Sequence, residues 1–282
     1  MKIRFIGVGS AFTTPDYYQS NLLITAPSGR KILVDCGTDI RFSLREGMPE
    51  TAAPYEGIDA IYISHLHSDH IGGMEWLAFQ TYFNPEQQRP RLYMEETIMR
   101  EMWHTSLKGG LGCIEGKRMH LTDYFDCRPA AAAGSFVWES IRFTLVQMAH
   151  ITTGYRDFYS YGLLISDVAE RWPTVFFTTD TQYRPHLIRE IGREAAIIFH
   201  DCETSPVRSI VHAHYRDLRE LPAELRARMW LYHYQPQPTV DPKKDGFLGF
   251  VKKGQEFDLA SANAGRIKRA APVPGSVSGR RS

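Results

Sequence analysis

Short apolar runs punctuate the chain from its first residues, and most stop at a polar or glycine-bearing turn. Runs of this kind, rich in Ile, Val, Phe and Tyr, read as buried strands. The pattern predicts strands over residues 2–7, 20–26, 31–35 and 58–63, then a helix from about His70 to Tyr82. A strand near Arg91 to Met94 leads into a helix that continues toward Trp103. Strands resume over 135–149, 157–166, 173–179 and 195–200, with a helix at about 184–192 before the last of them. An Arg- and Leu-rich helical stretch follows Arg208 and precedes a strand over 229–233.

Two segments fall outside this rhythm. Residues 104–127 show no clear period and hold Gly109, Gly110, Gly112 and Gly116, which fits either a flap on the substrate side or an ordinary surface loop. Residues 261–282 carry five basic residues, no acids and little apolar content, and are expected to be a disordered basic tail. The chain therefore divides into one α/β domain over 1–260 and that tail. At 282 residues it is long enough for a large single core. No internal repeat is visible.

Charge and cysteine usage narrow the function classes. Lys and Arg total 33 against 32 for Asp and Glu, so no global positive field recommends nucleic acid as a partner. Cys36, Cys113, Cys127 and Cys202 show no close pairing and read as reduced thiols of a cytoplasmic protein. Met1 runs directly into a strand, leaving no room for a signal peptide, and no apolar run is long enough to span a membrane.

The candidate chemistry is concentrated where the strand 58–63 ends. Ser64-His65-Leu66-His67-Ser68-Asp69-His70 gathers four metal-ligand side chains within six positions. In an extended chain His65 and His67 share a side, and Asp69 and His70 can face back from the start of the next helix. Packing gives no reason to collect so many polar groups at a strand end, because burying them unpaired is costly. Ligand type and spacing point to metal.

His65-Leu66-His67-Ser68-Asp69-His70 resembles the H-x-H-x-D-H motif of the metallo-β-lactamase superfamily. That resemblance implies a four-layer αβ/βα sandwich with a metal site at the strand ends along one edge. Later ligands match in order: a strand closing on His150, another closing on Asp180 and a third reaching His233. The resemblance implies that His150 completes a first site with His65 and His67. It implies that His233 completes a second with Asp69 and His70, and that Asp180 bridges both. Asp35, after the strand 31–35, would orient a ligand histidine from outside; the alternative is an N-cap for a helix over Thr38 to Glu46.

Further matches favour the ribonuclease Z-like, phosphodiesterase branch. Gly7-Val8-Gly9-Ser10-Ala11 looks like its opening turn, and Tyr161-Gly162-Leu163-Leu164-Ile165 resembles the strand after its third motif. His200 and one of His212 or His214 resemble histidines that in such enzymes contact phosphate or donate a proton. The alternatives are a turn cap for His200 and a solvated helix start for the other two. Asp69 would also orient or deprotonate the nucleophile, a hydroxide held by metal.

The implied cofactors are two divalent ions. Histidine at 67, where flavo-diiron members carry Glu, favours zinc, with manganese or iron open. The chain departs from ribonuclease Z in lacking space after His150 for an RNA-gripping arm. It departs again after Asp35, where Cys36-Gly37-Thr38-Asp39 replaces E-G-T-Q. Relatives that destroy cyclic-nucleotide signals also lack the arm. The expected function is therefore hydrolysis of a small phosphodiester such as a cyclic nucleotide, by a homodimer with no membrane contact. The interface is sought at 155–161 and 104–127. A tRNA 3′ endonuclease, an ester, thioester or lactone hydrolase, and a non-catalytic metal-bound sensor are the alternatives.

Overall fold

The computed structural model describes residues 1–155 and 157–259; the expected basic tail lies outside the described residues. Short apolar runs become strands because alternate side chains enter two different cores. In chain order they are β1 (Lys2–Phe5), β2 (Leu22–Thr25), β3 (Lys31–Val34), β4 (Ala60–Tyr62) and β5 (Arg91–Glu95). A small hairpin, β6 (Cys113–Ile114) and β7 (Lys117–Arg118), precedes β8 (Asp126–Ala130), β9 (Ser135–Trp138), β10 (Ile141–Thr152) and β11 (Asp157–Asp167). β12 (Val175–Phe177), β13 (Ile197–Asp201), β14 (Met229–Tyr232), β15 (Gly249–Phe250) and β16 (Glu256–Asp258) complete the set.

Two seven-stranded sheets result, in the orders β16-β1-β2-β3-β4-β5-β8 and β15-β14-β13-β12-β11-β10-β9. In each, antiparallel pairings on one side give way to parallel pairings on the other. The chain thus repeats one plan twice without repeating its sequence. Phe5, Phe177, Phe199, Tyr232 and Phe257 fill the space between the sheets, with Phe5 and Phe199 rings 5.0 Å apart. Burying each such side chain contributes about 1.5–3 kcal/mol. Outer cores lie under the helices of each face, around Leu44, Met74 and Leu77 on one and Ile188, Leu218 and Leu225 on the other. This is the four-layer αβ/βα sandwich expected from the ligand motif.

The segment 104–127 is packed structure, neither flap nor loop. A π-helical turn at Met102–Leu107, short helices at Lys108–Leu111 and Leu121–Tyr124, and the β6–β7 hairpin occupy it. Leu107, Leu111, Met119, Leu121, Tyr124 and Phe125 are buried in the core of the first sheet.

Hydrogen bonds join the halves beside the future site. The Tyr62 hydroxyl donates to the Tyr161 carbonyl at 2.7 Å, and the Tyr161 N–H donates to the Ser64 carbonyl at 3.1 Å. The His233 N–H donates to the Val8 carbonyl at 2.7 Å. No helix among the described residues is long and apolar enough to cross a membrane.

Candidate metal centre

Parallel strands deliver their C-terminal ends to one edge of a sandwich, and the ligand-type residues sit there. His65 and His67 follow β4, Asp69 and His70 lie on the one-turn helix Ser68–Ile71, and Asp180 follows β12. His233 follows β14, and His150 lies near the end of β10. The β10–β11 register shifts between Ala149 and Ile151, so His150 occupies a bulge, a device that re-aims a side chain. Asp35, Thr179 and His233 all hold positive φ angles, of 62°, 54° and 62°. Such left-handed conformations cost about 1–3 kcal/mol each and persist where the surroundings dictate them.

The side chains converge as two groups sharing Asp180. His65, His67, His150 and Asp180 form one; Asp69, His70, Asp180 and His233 form the other, each with its ligand atoms within 4.8 Å of one another, and Asp201 and His212 reach Asp180 and His233 within the same span. In the first, His67 Nδ1 lies 3.1 Å from His65 Nε2 and 3.0 Å from His150 Nε2. In the second, Asp180 Oδ2 lies 3.3 Å from both His70 Nε2 and His233 Nε2, and Asp69 Oδ2 lies 3.4 Å from His70 Nε2.

A divalent cation fits this chemistry. His70 Nε2, His233 Nε2 and Asp180 Oδ1 are buried without hydrogen-bond partners, and the opposite nitrogens of both rings are tethered. His70 Nδ1 meets Asp35 Oδ2 at 2.8 Å, and His233 Nδ1 meets the Ser20 hydroxyl at 3.0 Å. His150 Nδ1 meets the Val211 carbonyl at 2.9 Å, and His65 Nδ1 the Ser64 hydroxyl at 3.0 Å. Tethers of this kind fix the tautomer and aim the free nitrogen inward. The six innermost ligands are buried, and only His67 is half-exposed.

Asp35 does not cap the helix Ile40–Gly47, whose N-cap position is Asp39. Asp35 accepts hydrogen bonds from the Ser64 N–H at 2.8 Å and the Ser64 hydroxyl at 2.9 Å, besides holding His70. Gly37 is required beside it, since a Cβ there would lie 2.3 Å from the Asp69 carbonyl oxygen.

The electrostatics call for positive charge. Burial opposes ionisation of Asp69 and Asp180. The imidazole of His70 nevertheless holds Asp69 down at about 2, and His233 and His70 hold Asp180 well below the usual carboxylate range. Burial also disfavours the His70 imidazolium, but Asp180, Asp69 and Asp35 outweigh it and raise that ring well above its ordinary value. Burial pushes His150 down to about 4, and burial with the neighbouring His70 keeps His65 well below its usual range. These two rings are neutral donors, the form a metal takes.

The remaining candidates separate cleanly. His212 Nδ1 lies 2.8 Å from Asp201 Oδ2 and 4.0 Å from Asp180 Oδ2, with its ring 5.0 Å from that of His233. Burial works against its charge, but Asp201 raises it to about 9. His214 accepts from the Arg216 N–H at 3.2 Å, capping the helix Tyr215–Leu218, and its Nε2 meets the Ser205 carbonyl. His200 is fully buried with Nδ1 against the Asp201 carbonyl, away from the ligand groups.

Strand parity explains the exchange of His200 for Asp201. Ile197 and Phe199 enter the core between the sheets, while Ile198 and Cys202 enter the core under the helices. Asp201 follows the first pair to the site and His200 follows the second. Asp201 and Ser20 hold histidines of the cluster and were given no role by motif reading, and alternation along β13 was the signal available for the first.

Sandwich and double ligand cluster together define a metal-dependent hydrolase of the metallo-β-lactamase fold. The metallo-β-lactamase-fold protein YhfI from Bacillus subtilis superposes with a TM-score of 0.66 at 18% identity, covering 91% of this chain and 98% of that one. Zn(2+)-bound PqqB from Methylobacterium extorquens gives a TM-score of 0.69 at 12% identity, covering 92% of this chain and 100% of that one. Within the fold, the family model of the anti-Pycsar protein Apyc1 matches residues 1–257, and the chain belongs to that family. The anti-Pycsar protein Apyc1 of Bacillus phage vB_BveM-Goe7 is 31% identical over 267 residues, spanning 92% of this chain and 98% of the relative.

Proposed function

We propose that this chain hydrolyses the phosphodiester of a cyclic nucleotide, using two divalent ions, zinc by preference. His65, His67 and His150 would hold one ion, Asp69, His70 and His233 the other, and Asp180 would bridge them. When bound, such a pair supplies Lewis acidity and a water acidified to near neutrality.

The chain's own groups do the rest. Asp69, kept in its carboxylate form by His70, orients the attacking water or takes its proton. His212, kept protonated by Asp201, donates to the departing ribose oxygen. His200 and His214 take no part in this reading.

The observation that carries the proposal is the His212–Asp201 pair set against Asp180, in a chain of an anti-Pycsar family. It adds a proton donor that metal ligands alone do not provide. A small substrate is further supported by the closeness in sequence of the end of β10 at Thr152 and the start of β11 at Asp157, too short a gap for an RNA-gripping arm. Four free cysteines fit a reducing, cytoplasmic setting.

A homodimer is supported by exposed apolar residues on loops that flank the site. Phe12 (95% exposed) lies between Val8 and Ser20, Tyr155 (90%) between His150 and β11, and Val207 (80%) between Asp201 and His212.

The test is incubation of the zinc-loaded protein with 3′,5′-cyclic nucleotides of each base, beside precursor tRNA and a p-nitrophenyl ester. Linear nucleoside monophosphate, absent with His65→Ala, is the expected product. Cleavage of tRNA or ester alone would discard the proposal.

A further inference from the structure

Four of the five ligand-type imidazoles are aimed by a hydrogen bond on the nitrogen that faces away from the cluster. Ser64 serves His65, Asp35 serves His70, Val211 serves His150 and Ser20 serves His233. His67 is built differently. It presents Nδ1 to the cluster, and among the described residues its outward Nε2 has no such partner. Among the described residues, no polar group outside the cluster fixes the rotation of this ring.

An aromatic face takes that place. The Phe158 ring lies flat on the His67 ring, with centroids 4.9 Å apart and planes 15° from parallel. It also presents to the His65 ring at 6.0 Å and 84°, and to the His150 ring at 6.1 Å and 57°. Phe158 thus touches all three imidazoles of one ligand group. It is the second residue of β11 and pairs with Ile151, immediately past the bulge that holds His150. Strand pairing therefore locks the position of Phe158 to that of a ligand.

We propose that Phe158 is the positioning residue for His67, its ring standing in for the hydrogen bond that orients each of the other ligands. Swinging His67 about its side chain would lift Nδ1 away from His65 Nε2 and His150 Nε2, and it would also break an offset stack of favourable geometry. The stack selects the rotation that keeps Nδ1 inward. Only the ligand group of His65, His67 and His150 depends on it; the group of Asp69, His70 and His233 is held by Asp35 and Ser20. Phe158 is only partly buried, so truncating it opens no core cavity. The same ring lines a cleft of about 220 Å³ beside the site, with Leu66, Ile98, Tyr159 and Tyr161.

This inference rests on the two-ion reading, and its test separates the two. Phe158→Leu, Phe158→Ala and Phe158→Tyr are titrated with zinc against a chromophoric chelator, and in the metal-free state the His67 ring resonances are recorded by NMR. The Leu and Ala variants are expected to bind one ion about tenfold or more weakly and the other as the wild type does, the scale typical of losing a ligand's orienting partner. The Tyr variant restores binding. In the metal-free wild type the His67 ring signals lie upfield from stacking, and they move toward ordinary positions in the Leu variant. Unchanged affinity for both ions, or equal weakening of both, overturns the role of Phe158. A wild type that binds no ion overturns the two-ion reading instead, and the NMR comparison then still decides whether Phe158 orients the ring.

Discussion

Asp201 holds His212 by a 2.8 Å contact between its Oδ2 and the ring's Nδ1, and the ring so held lies 4.0 Å from Asp180 Oδ2. In the proposed reaction, this carboxylate behind an imidazole at the edge of the ligand cluster makes a poised proton donor. Asp201→Asn is expected to lower kcat by about 10²–10³-fold, within the range of lost general-acid assistance, with both metal ions retained. Turnover and metal content measured on the same samples check this.

The acid must carry its proton to act, so the rate should fall as pH rises through the value of His212, raised to about 9 by Asp201 against burial. In Asp201→Asn that raising influence is gone, and the alkaline limb should move to lower pH. A pH–rate profile of the two proteins with a fixed cyclic nucleotide reads the shift. An identical alkaline limb would remove His212 from the reaction.

Asp180 would serve both proposed ions, whereas His150 and His233 would serve one each. Asp180→Ala should therefore bind neither ion tightly, and His150→Ala or His233→Ala should each keep one. Elemental analysis after dialysis distinguishes these outcomes. Retention of two ions by Asp180→Ala would contradict a shared bridge.

Gly37→Ala places a methyl 2.3 Å from the Asp69 carbonyl oxygen, where only backbone can yield. Displacing the turn that carries Asp69 and His70 should cost about 1–3 kcal/mol of stability, as overpacking does, and weaken the ion those residues hold. Denaturant unfolding with and without chelator separates the two effects.

Far from the site, Asp167 accepts from Arg171 Nε at 2.7 Å and Nη2 at 2.8 Å, and this pairing holds its carboxyl down at about 2. The folded value lies below the unfolded one, so the stabilisation is full above pH ~4 and fades as pH falls toward 2. Asp167→Asn should unfold at a lower temperature than the wild type at pH 7, and the gap should close across that window. A gap independent of pH would assign the effect to packing.

Much of this was legible in the sequence because the ligands are announced locally. His65 to His70 are nearly contiguous, and His150, Asp180 and His233 each end an apolar, strand-like run. What stayed hidden depended on parity or on elements too short to have a period. His200 stood out by residue type, yet Asp201 reaches the site because it shares a strand face with Phe199. The stretch 104–127 showed no rhythm because a single π-helical turn, one-turn helices and two-residue strands hold it.

β8 (Asp126–Ala130) was missed because an edge strand needs no apolar run, and its Pro129 is tolerated only at such an edge. The turn that splits β9 from β10 uses Glu139 and Ser140 at φ of 50° and 66°, without the glycine or asparagine that usually marks it. The doubled plan of the two sheets is carried by topology alone.

The ligand set straddles that doubled plan. His65, His67, Asp69 and His70 extend from the first sheet; His150, Asp180 and His233 belong to the second. A nascent chain that has emerged only through β11 possesses neither group complete, since both await Asp180. In the two-ion reading, capture of metal awaits the meeting of the two sheets, and the ions would act as a clasp between the halves.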